Sequence, residues 1–499
     1  MNWFVRNVLV LHVLALVLAF SWIHGGTRPD LLMPVIPWLT VFMLHFMLVF
    51  PQAKSTETLM QARRRVWRSL CRDPLFWFSL ILLIVLVIPL FNVAGAPVFD
   101  SVAEIWINPP PPYEWLPSCV AADEHAVLLL WFPPALIAAL AARHGLLKRG
   151  KRLLLEMICW NGAVLAIIGF AQLLTESDSL LWFVPLESHF FSTFGYPNFA
   201  GAFFTLMFAL SAGLWMYDVT LFMQSDQFAM ADSNRSFFAR HRMAVPMILS
   251  FVAAQATLSR AAILLSVIVF VVLCMYLILF LWARISRGAQ VKIAAGIFAA
   301  IALAVISLMI FNFSAFKAEL NTLTMDAVVE RVSGTGYYHV RVAKEIYNDH
   351  SAFGVGGWGY PHYQMQYMSP EDLKHMQIQG GANVHNDAWQ FLAEHGYVGF
   401  GLIVACALML IVPLLVSVLK LMRNASKLAK KDIDSNSPSS HWLYCIPLPL
   451  IAVFVGTTAT VCHSLGDLPF RDPAVLIVWV LALACVPGWI PVLKWSKSR

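Results

Sequence analysis

Mostly apolar stretches of about 20 residues recur along the chain, the length a helix needs to cross the hydrocarbon core of a bilayer. Twelve of them can be counted, centred near residues 14, 42, 83, 133, 163, 207, 250, 271, 302, 409, 452 and 483. Short polar connections separate them, with two longer exceptions at about 93–122 and 312–396. The first stretch begins with Arg6 and ends at His24 without a small-residue cleavage site, so it reads as a retained helix and not a removed signal peptide. The pattern predicts an all-α polytopic membrane protein of about 12 transmembrane helices, with one large loop domain between helices 9 and 10. Four regions follow: 1–190 with helices 1–5 and a proline-rich outer loop, 191–311 with helices 6–9, the loop domain 312–396, and 397–499 with helices 10–12.

Composition agrees. Hydrophobic residues make up 59% of the chain and charged residues 12%, with a mean hydropathy of +0.70, against roughly 25% charged in a soluble domain. Lys and Arg accumulate on the cytoplasmic side of membrane proteins. With both termini inside, 26 of the 34 basic residues fall in cytoplasmic segments and 8 outside. The net charge of +6 is thereby mostly an orientation signal and requires no nucleic acid. "QARRRVWR" (61–68) reads in the same way, as a loop between two spans rather than an RNA-binding patch or an anionic-lipid contact. Of the eight cysteines, five fall inside apolar spans and Cys119 stands alone in an outer loop, which gives no disulfide framework and no paired-cysteine metal site.

The outer loop at 93–122 carries "NPPPPYEWLP", whose prolines favour a stiff extended run lying over the membrane face as a lid or spacer. The 312–396 loop holds His339, His350, His362, His375, His385 and His395. No pair has the H-x-x-x-H spacing that projects two imidazoles from one helix face, and no cysteine is near, so a zinc or iron site is disfavoured. "GVGGWG" (354–359) satisfies G-x-G-x-x-G, but lacks the strand before and helix after that dinucleotide binding requires. It predicts a glycine-permitted turn, with a phosphate-facing nest of backbone N–H groups as the alternative.

"HNDAWQFLAEHG" (385–396) predicts a short helix, capped by Asn386 or Asp387 and ended by Gly396 in the left-handed conformation. Ala388, Phe391, Leu392 and His395 follow i, i+3, i+4, i+7 spacing, the pattern of an amphipathic helix at a membrane surface. His385 precedes the cap, clear of that apolar face. His-Asn, nine residues, then Gly396-x-x-Gly399 entering an apolar span resembles the signature of the O-antigen ligase and O-antigen polymerase superfamily of bacterial membrane glycosyltransferases. So do "STFGYPNFAGAFF" (192–204), "ATLSRAAILL" (256–265), "NDHSAFGVGGWGY" (348–360) and "HSLGDLPFR" (463–471), in the same order and over about 190–475. Two departures stand out: Ser351 occupies a place usually taken by Pro, and the arginine expected upstream of the glycine loop has two candidates, Arg331 and Arg341.

The resemblance implies transfer of a glycan from an undecaprenyl diphosphate carrier to a hydroxyl of a glycan, lipid A-core or protein acceptor. It implies a bacterial inner membrane location with a periplasmic loop domain and active site, and no nucleotide, metal or other cofactor. A sugar hydroxyl is a poor nucleophile, and imidazole is the unperturbed side chain suited to a base near neutral pH. His385 is therefore the candidate base. Arg260 with Arg331 or Arg341 would hold the diphosphate, whose growing charge needs fixed cations. Asn386, Asp387, Asn198, His463 and Asp467 would support them. Ligase, polymerase and protein O-oligosaccharyltransferase share these motifs. A transporter or flippase of lipid-linked glycan is the alternative from another class; it would favour two related halves and mid-membrane charges, whereas the polar residues here gather in one late loop.

Overall fold

The computed structural model describes residues 3–186, 189–224, 241–282, 338–373, 383–431 and 447–489. Thirteen main helices carry the description: α1 (Trp3–Trp22), α2 (Ile36–Val49), α3 (Leu59–Cys71), α4 (Pro74–Val87), α5 (Ala122–Gly145), α6 (Lys148–Leu174), α7 (Pro197–Gln224), α8 (Ala244–Ala256), α9 (Arg260–Trp282), α10 (Tyr338–Asp349), α11 (Asp387–Lys431), α12 (Leu448–His463) and α13 (Pro473–Trp489). Two small hairpins, β1 (Val98–Asp100) with β2 (Ile105–Ile107) and β3 (Ser179–Leu180) with β4 (Val184–Pro185), lie in the connections from α4 to α5 and from α6 to α7. The protein is thus mostly helical. Among the described residues, six helices are long and apolar enough to cross a membrane, and five shorter apolar helices accompany them. Together these coincide with every predicted stretch except that centred near 302, which lies outside the described residues.

α7 is the hub, packed against α6, α8, α9 and α12. Its contact with α12 runs through small residues: a Cβ on Gly213 would sit 2.6 Å from that of Ala452, and one on Gly456 2.5 Å from that of Ala209. In a bilayer, where lipid tails are as apolar as leucine, such close backbone approach is what makes helix pairing favourable. α13 closes the bundle against α5, α6, α11 and α12.

Two local expectations are revised, those for 61–68 and 387–395, and the proline-rich run at 108–113 is free of helix and strand as expected. The stretch around "QARRRVWR" is a helix, α3, opened by a capping box between Thr58 and Gln61 and burying Ala62, Val66 and Leu70 at four-residue spacing. Two of its four arginines are used in packing: Arg63 donates to the Val49 carbonyl at 2.7 Å, Arg65 to those of Gln52 at 2.8 Å and His144 at 3.3 Å. The proline-rich loop follows the β1–β2 hairpin and is clipped at its base, where the Asn92 amide donates to the Tyr113 and Pro117 carbonyls at 2.9 and 3.1 Å. The segment predicted to lie at the membrane surface, 387–395, is enclosed by protein. Gln390 and Glu394, on the face expected to meet water, are both fully buried, Gln390 against the Val384 N–H and Glu394 against Arg471 from the other end of the chain.

Pro413 interrupts α11 and has no N–H for the carbonyl of Met409 four residues back. Arg143 supplies the missing donor from α5 at 2.9 Å, while its other terminal nitrogen meets Asp73 at 2.8 Å. Asp73 also accepts from His144 at 2.8 Å, and its side chain is 9% exposed. We expect Arg143→Leu to destabilise the detergent-solubilised protein by about 3 kcal/mol, the cost of leaving a buried charge without its partner. A thermal unfolding midpoint equal to that of wild type would show that the Pro413 break needs no outside donor.

Candidate active site

α11 is two helices joined at a break. At Gly396 φ is +58° and ψ −171°, a region open essentially to glycine, and a Cβ there would lie 2.3 Å from the Ala352 carbonyl oxygen. The residue has the positive φ expected, but an extended ψ in place of the left-handed helical value. The break would orphan carbonyls on one side and N–H groups on the other. The glycine loop satisfies both sets. Val355 and Gly356 donate to the carbonyls of Ala393 and Glu394 at 3.1 and 2.8 Å, while Tyr397 and Val398 donate to those of Ser351 and Ala352 at 2.8 and 3.2 Å. Gly357 N–H goes to His125 Nδ1 at 2.8 Å. The GVGGWG turn is therefore a helix clamp, and these N–H groups are committed to protein acceptors rather than to a phosphate.

At the other end of the short helix, Asn386 is the cap: its Oδ1 accepts from Trp389 N–H at 3.2 Å. Its amide donates across to the Leu465 carbonyl at 2.8 Å. Asp387 N–H reaches the Ser464 and Asp467 carbonyls at 3.0 and 3.2 Å, and its carboxylate accepts from Phe470 N–H at 3.0 Å. His385 stands just before this knot with φ +53°, a conformation uncommon for a residue with a side chain and one that clusters at functional sites. It is held there from both sides, by Asp387 as described and by Val384 N–H donating to Gln390 Oε1 at 2.6 Å.

That conformation sets His385 Nδ1 3.5 Å from Asp467 Oδ1; the His385 side chain is 37% exposed and that of Asp467 5%. Asp467 is also held by Tyr196, whose hydroxyl donates at 3.1 Å, by the Asn198 amide and by Leu468 N–H at 2.8 Å. Burial alone would raise its pKa. The hydrogen bond and charge of His385, with His463 behind, outweigh burial and keep the carboxyl below the usual range. His463 is buried and its Nε2 has no hydrogen-bond partner among the described residues. The second imidazole next to His385 is His339 of α10, rings 6.2 Å apart. Its Nδ1 is 2.9 Å from the Tyr360 hydroxyl. Burial, then the neighbouring His385, push its pKa down to about 4.

Arg260 begins α9, after a turn with Leu258 at φ +58°. That turn packs on the first turns of α7, where a Cβ on Gly201 would meet those of Ala262 and Ser259 at 2.5 and 2.9 Å. Arg260 is thus placed on the helix neighbouring Asn198. Arg341, on α10 two residues from His339, is 42% exposed; it meets Glu345 at 2.8 Å and pairs with Asp372. Arg331 and His375 lie outside the described residues. The other loop histidines go separate ways: His350 to the ring of Tyr363, His362 to Glu124 at 2.9 Å, and His395 into the bundle beside His125. No group of three or more metal-ligand side chains forms among the described residues.

Two partners were not singled out from sequence, although both lie inside the quoted motifs. Tyr196 holds Asp467, and Arg471 forms a buried ion pair with Glu394 that ties the 464–472 loop to the short helix. An open cleft of about 500 Å³ borders the site, lined among others by Phe199, Leu468 and Asn383, each within two residues of Asn198, Asp467 or His385.

These features define a polytopic helical membrane protein with a histidine–carboxylate pair at one end of its bundle, beside an open cleft. The chain is similar to the O-antigen ligase superfamily: the model of the family described as O-antigen ligase matches residues 245–404. The match spans Arg260, Arg331, Arg341, His385, Asn386 and Asp387, and supports a glycosyl-transferring role in polysaccharide assembly. No curated protein matches the sequence.

The sign of one pH effect follows from His339. Its folded pKa, about 4, lies below the ordinary value near 6.5, so the unfolded chain binds the proton more readily. Its contribution to stability is complete above pH 6.5 and is lost as the pH falls toward 4, by up to about 3 kcal/mol. His339→Gln should flatten the fall in unfolding midpoint between pH 7 and 4.5. Parallel falls in variant and wild type would mean that His339 is not held neutral in the fold.

Proposed function

We propose that the protein transfers a glycan from an undecaprenyl diphosphate carrier to an acceptor hydroxyl at the periplasmic face of a bacterial inner membrane, with His385 as general base. The single observation that carries this reading is His385 held at positive φ with Nδ1 against the buried, multiply bonded carboxylate of Asp467. A carboxylate on Nδ1 fixes the tautomer that leaves Nε2 as acceptor and stabilises the imidazolium that forms. The acceptor oxygen attacks the anomeric carbon, its proton passes to Nε2, and the bond from that carbon to the diphosphate oxygen breaks. Arg260 is the first candidate to hold the leaving diphosphate. Arg341 would serve by exchanging Asp372 or Glu345 for a phosphate oxygen, and Arg331 is the remaining candidate. Asn198 and Tyr196 act through Asp467, and Asn386 and Asp387 through the backbone at His385. Ligase, polymerase and protein O-oligosaccharyltransferase activities all fit this chemistry. The family match favours the ligase.

His385→Ala should reduce transfer of lipid-linked glycan by about 10²- to 10⁴-fold while the protein stays inserted and folded, since this half-exposed side chain contributes little packing. Asp467→Asn should lower the rate in the same direction. Transfer by His385→Ala within a factor of a few of wild type would exclude it as the base.

Arg260→Lys should weaken binding of the undecaprenyl diphosphate donor, because an ammonium lacks the planar fork that grips phosphate oxygens. Unchanged donor binding by both Arg260→Lys and Arg260→Ala would transfer the diphosphate role to Arg331 and Arg341.

A further inference from the structure

The cleft beside His385 and Asp467 has a wall that the transfer chemistry does not use. Trp131, Trp358 and Arg471 line it together with Asn383 and Phe199. Trp131 and Arg471 are 2% and 3% exposed. The two indole rings meet edge-on at 5.7 Å, and the Arg471 guanidinium carbon lies 4.4 Å over the Trp358 ring. Among the described residues, both indole N–H groups, Nε and one terminal nitrogen of Arg471, and Oδ1 of Asn383 have no hydrogen-bond partner. Buried polar groups are normally satisfied, and indole N–H in particular finds an acceptor. A wall of aromatic faces with several donors and one acceptor fits a ligand whose apolar face carries oxygen atoms.

Charge decides which kind. Arg471 is paired with the fully buried Glu394, so its charge is already cancelled. Glu124 at the rim is a further carboxylate, beside His362. A phosphate or carboxylate would meet donors here but no uncompensated cation, whereas a pyranose presents C–H faces to the indoles and hydroxyl and ring oxygens to the N–H groups. We propose that this cleft is a subsite for an uncharged sugar ring, and that Trp131, Trp358, Arg471 and Asn383 recognise it. Its position next to His385 gives it a role in glycan transfer, and that role rests on the reading above. The sugar belongs either to the donor chain or to the acceptor.

Saturation-transfer NMR on the full chain in detergent tests this with methyl β-glucoside, galactose, N-acetylglucosamine and glucose 6-phosphate as probes. At least one neutral sugar should receive saturation, and glucose 6-phosphate should bind no tighter. Trp358→Phe, which keeps a ring and deletes the N–H, and Asn383→Ala, at a partly exposed position, should each weaken the neutral sugar by about two- to tenfold, the value of one hydrogen bond. The subsite is overturned if no neutral sugar receives saturation, if glucose 6-phosphate binds more tightly, or if both variants bind as wild type does. His385→Ala should bind the sugar unchanged. If that variant also retains transfer, the base assignment fails and the subsite stands. In transfer assays, a raised KM in Trp358→Phe for the acceptor assigns the ring to the acceptor, and a raised KM for the lipid-linked donor assigns it to the donor.

Discussion

A helix broken in the middle must find partners for the backbone groups it orphans, and in this chain one loop supplies them on both sides of the break. Residues 351–356 pass across Gly396, giving carbonyls to the helix that starts there and N–H groups to the helix that ends there. The approach is so close that a Cβ on Gly354 would lie 2.3 Å from the Glu394 carbonyl carbon, and one on Gly356 2.5 Å from the Cα of Cys119. Each such contact forbids a side chain, so the glycines of the loop and of the break are required by the same geometry. Without the clamp, several unpaired backbone groups would sit within protein and away from water, each at a cost of about 1–3 kcal/mol.

Everything at the site hangs from the short helix that this clamp fixes. Its N-terminus is laced to the 464–472 loop through Asn386 and Asp387, and its C-terminal turn to the same loop through Glu394 and Arg471. Two attachments about two turns apart leave that loop little freedom relative to the helix. Asp467 therefore arrives at a fixed place under His385, while Tyr196 and Asn198 reach it from α7. The hub helix, the broken helix and the last inter-helix loop meet at one carboxylate.

The apolar helices were legible because bilayer thickness imposes a length on each stretch, and length is a local property of sequence. The helix start at Asn386 and the glycine at 396 were legible for a similar reason: caps and positive φ are decided by one residue and its neighbours. The packing of 387–395 was not. Spacing of Ala388, Phe391, Leu392 and His395 marks one apolar face, but says nothing of what covers Gln390 and Glu394 on the other. The cover of Glu394 comes from Arg471, 77 residues beyond it, and such a pairing leaves no periodic trace. Tyr196 to Asp467, 271 residues apart, escaped for the same reason. The glycine run gave its turn correctly and its purpose not at all, since a phosphate nest and a helix clamp demand the same permissive backbone.

Two ionic arrangements lie within this small region, and they differ in their access to water, which bears on the role proposed for His385. Arg471 and Glu394 neutralise each other with both side chains out of water, which fixes structure and leaves no group free to change its charge cheaply. Asp467 is held ionised by neutral donors and by an imidazole that is 37% exposed, so this pair keeps contact with solvent. His339 alongside is held neutral down to about 4. Near pH 7 its neutral ring therefore adds no positive charge beside the His385–Asp467 pair. His385 is thereby the imidazole that both pairs with the carboxylate and is partly exposed.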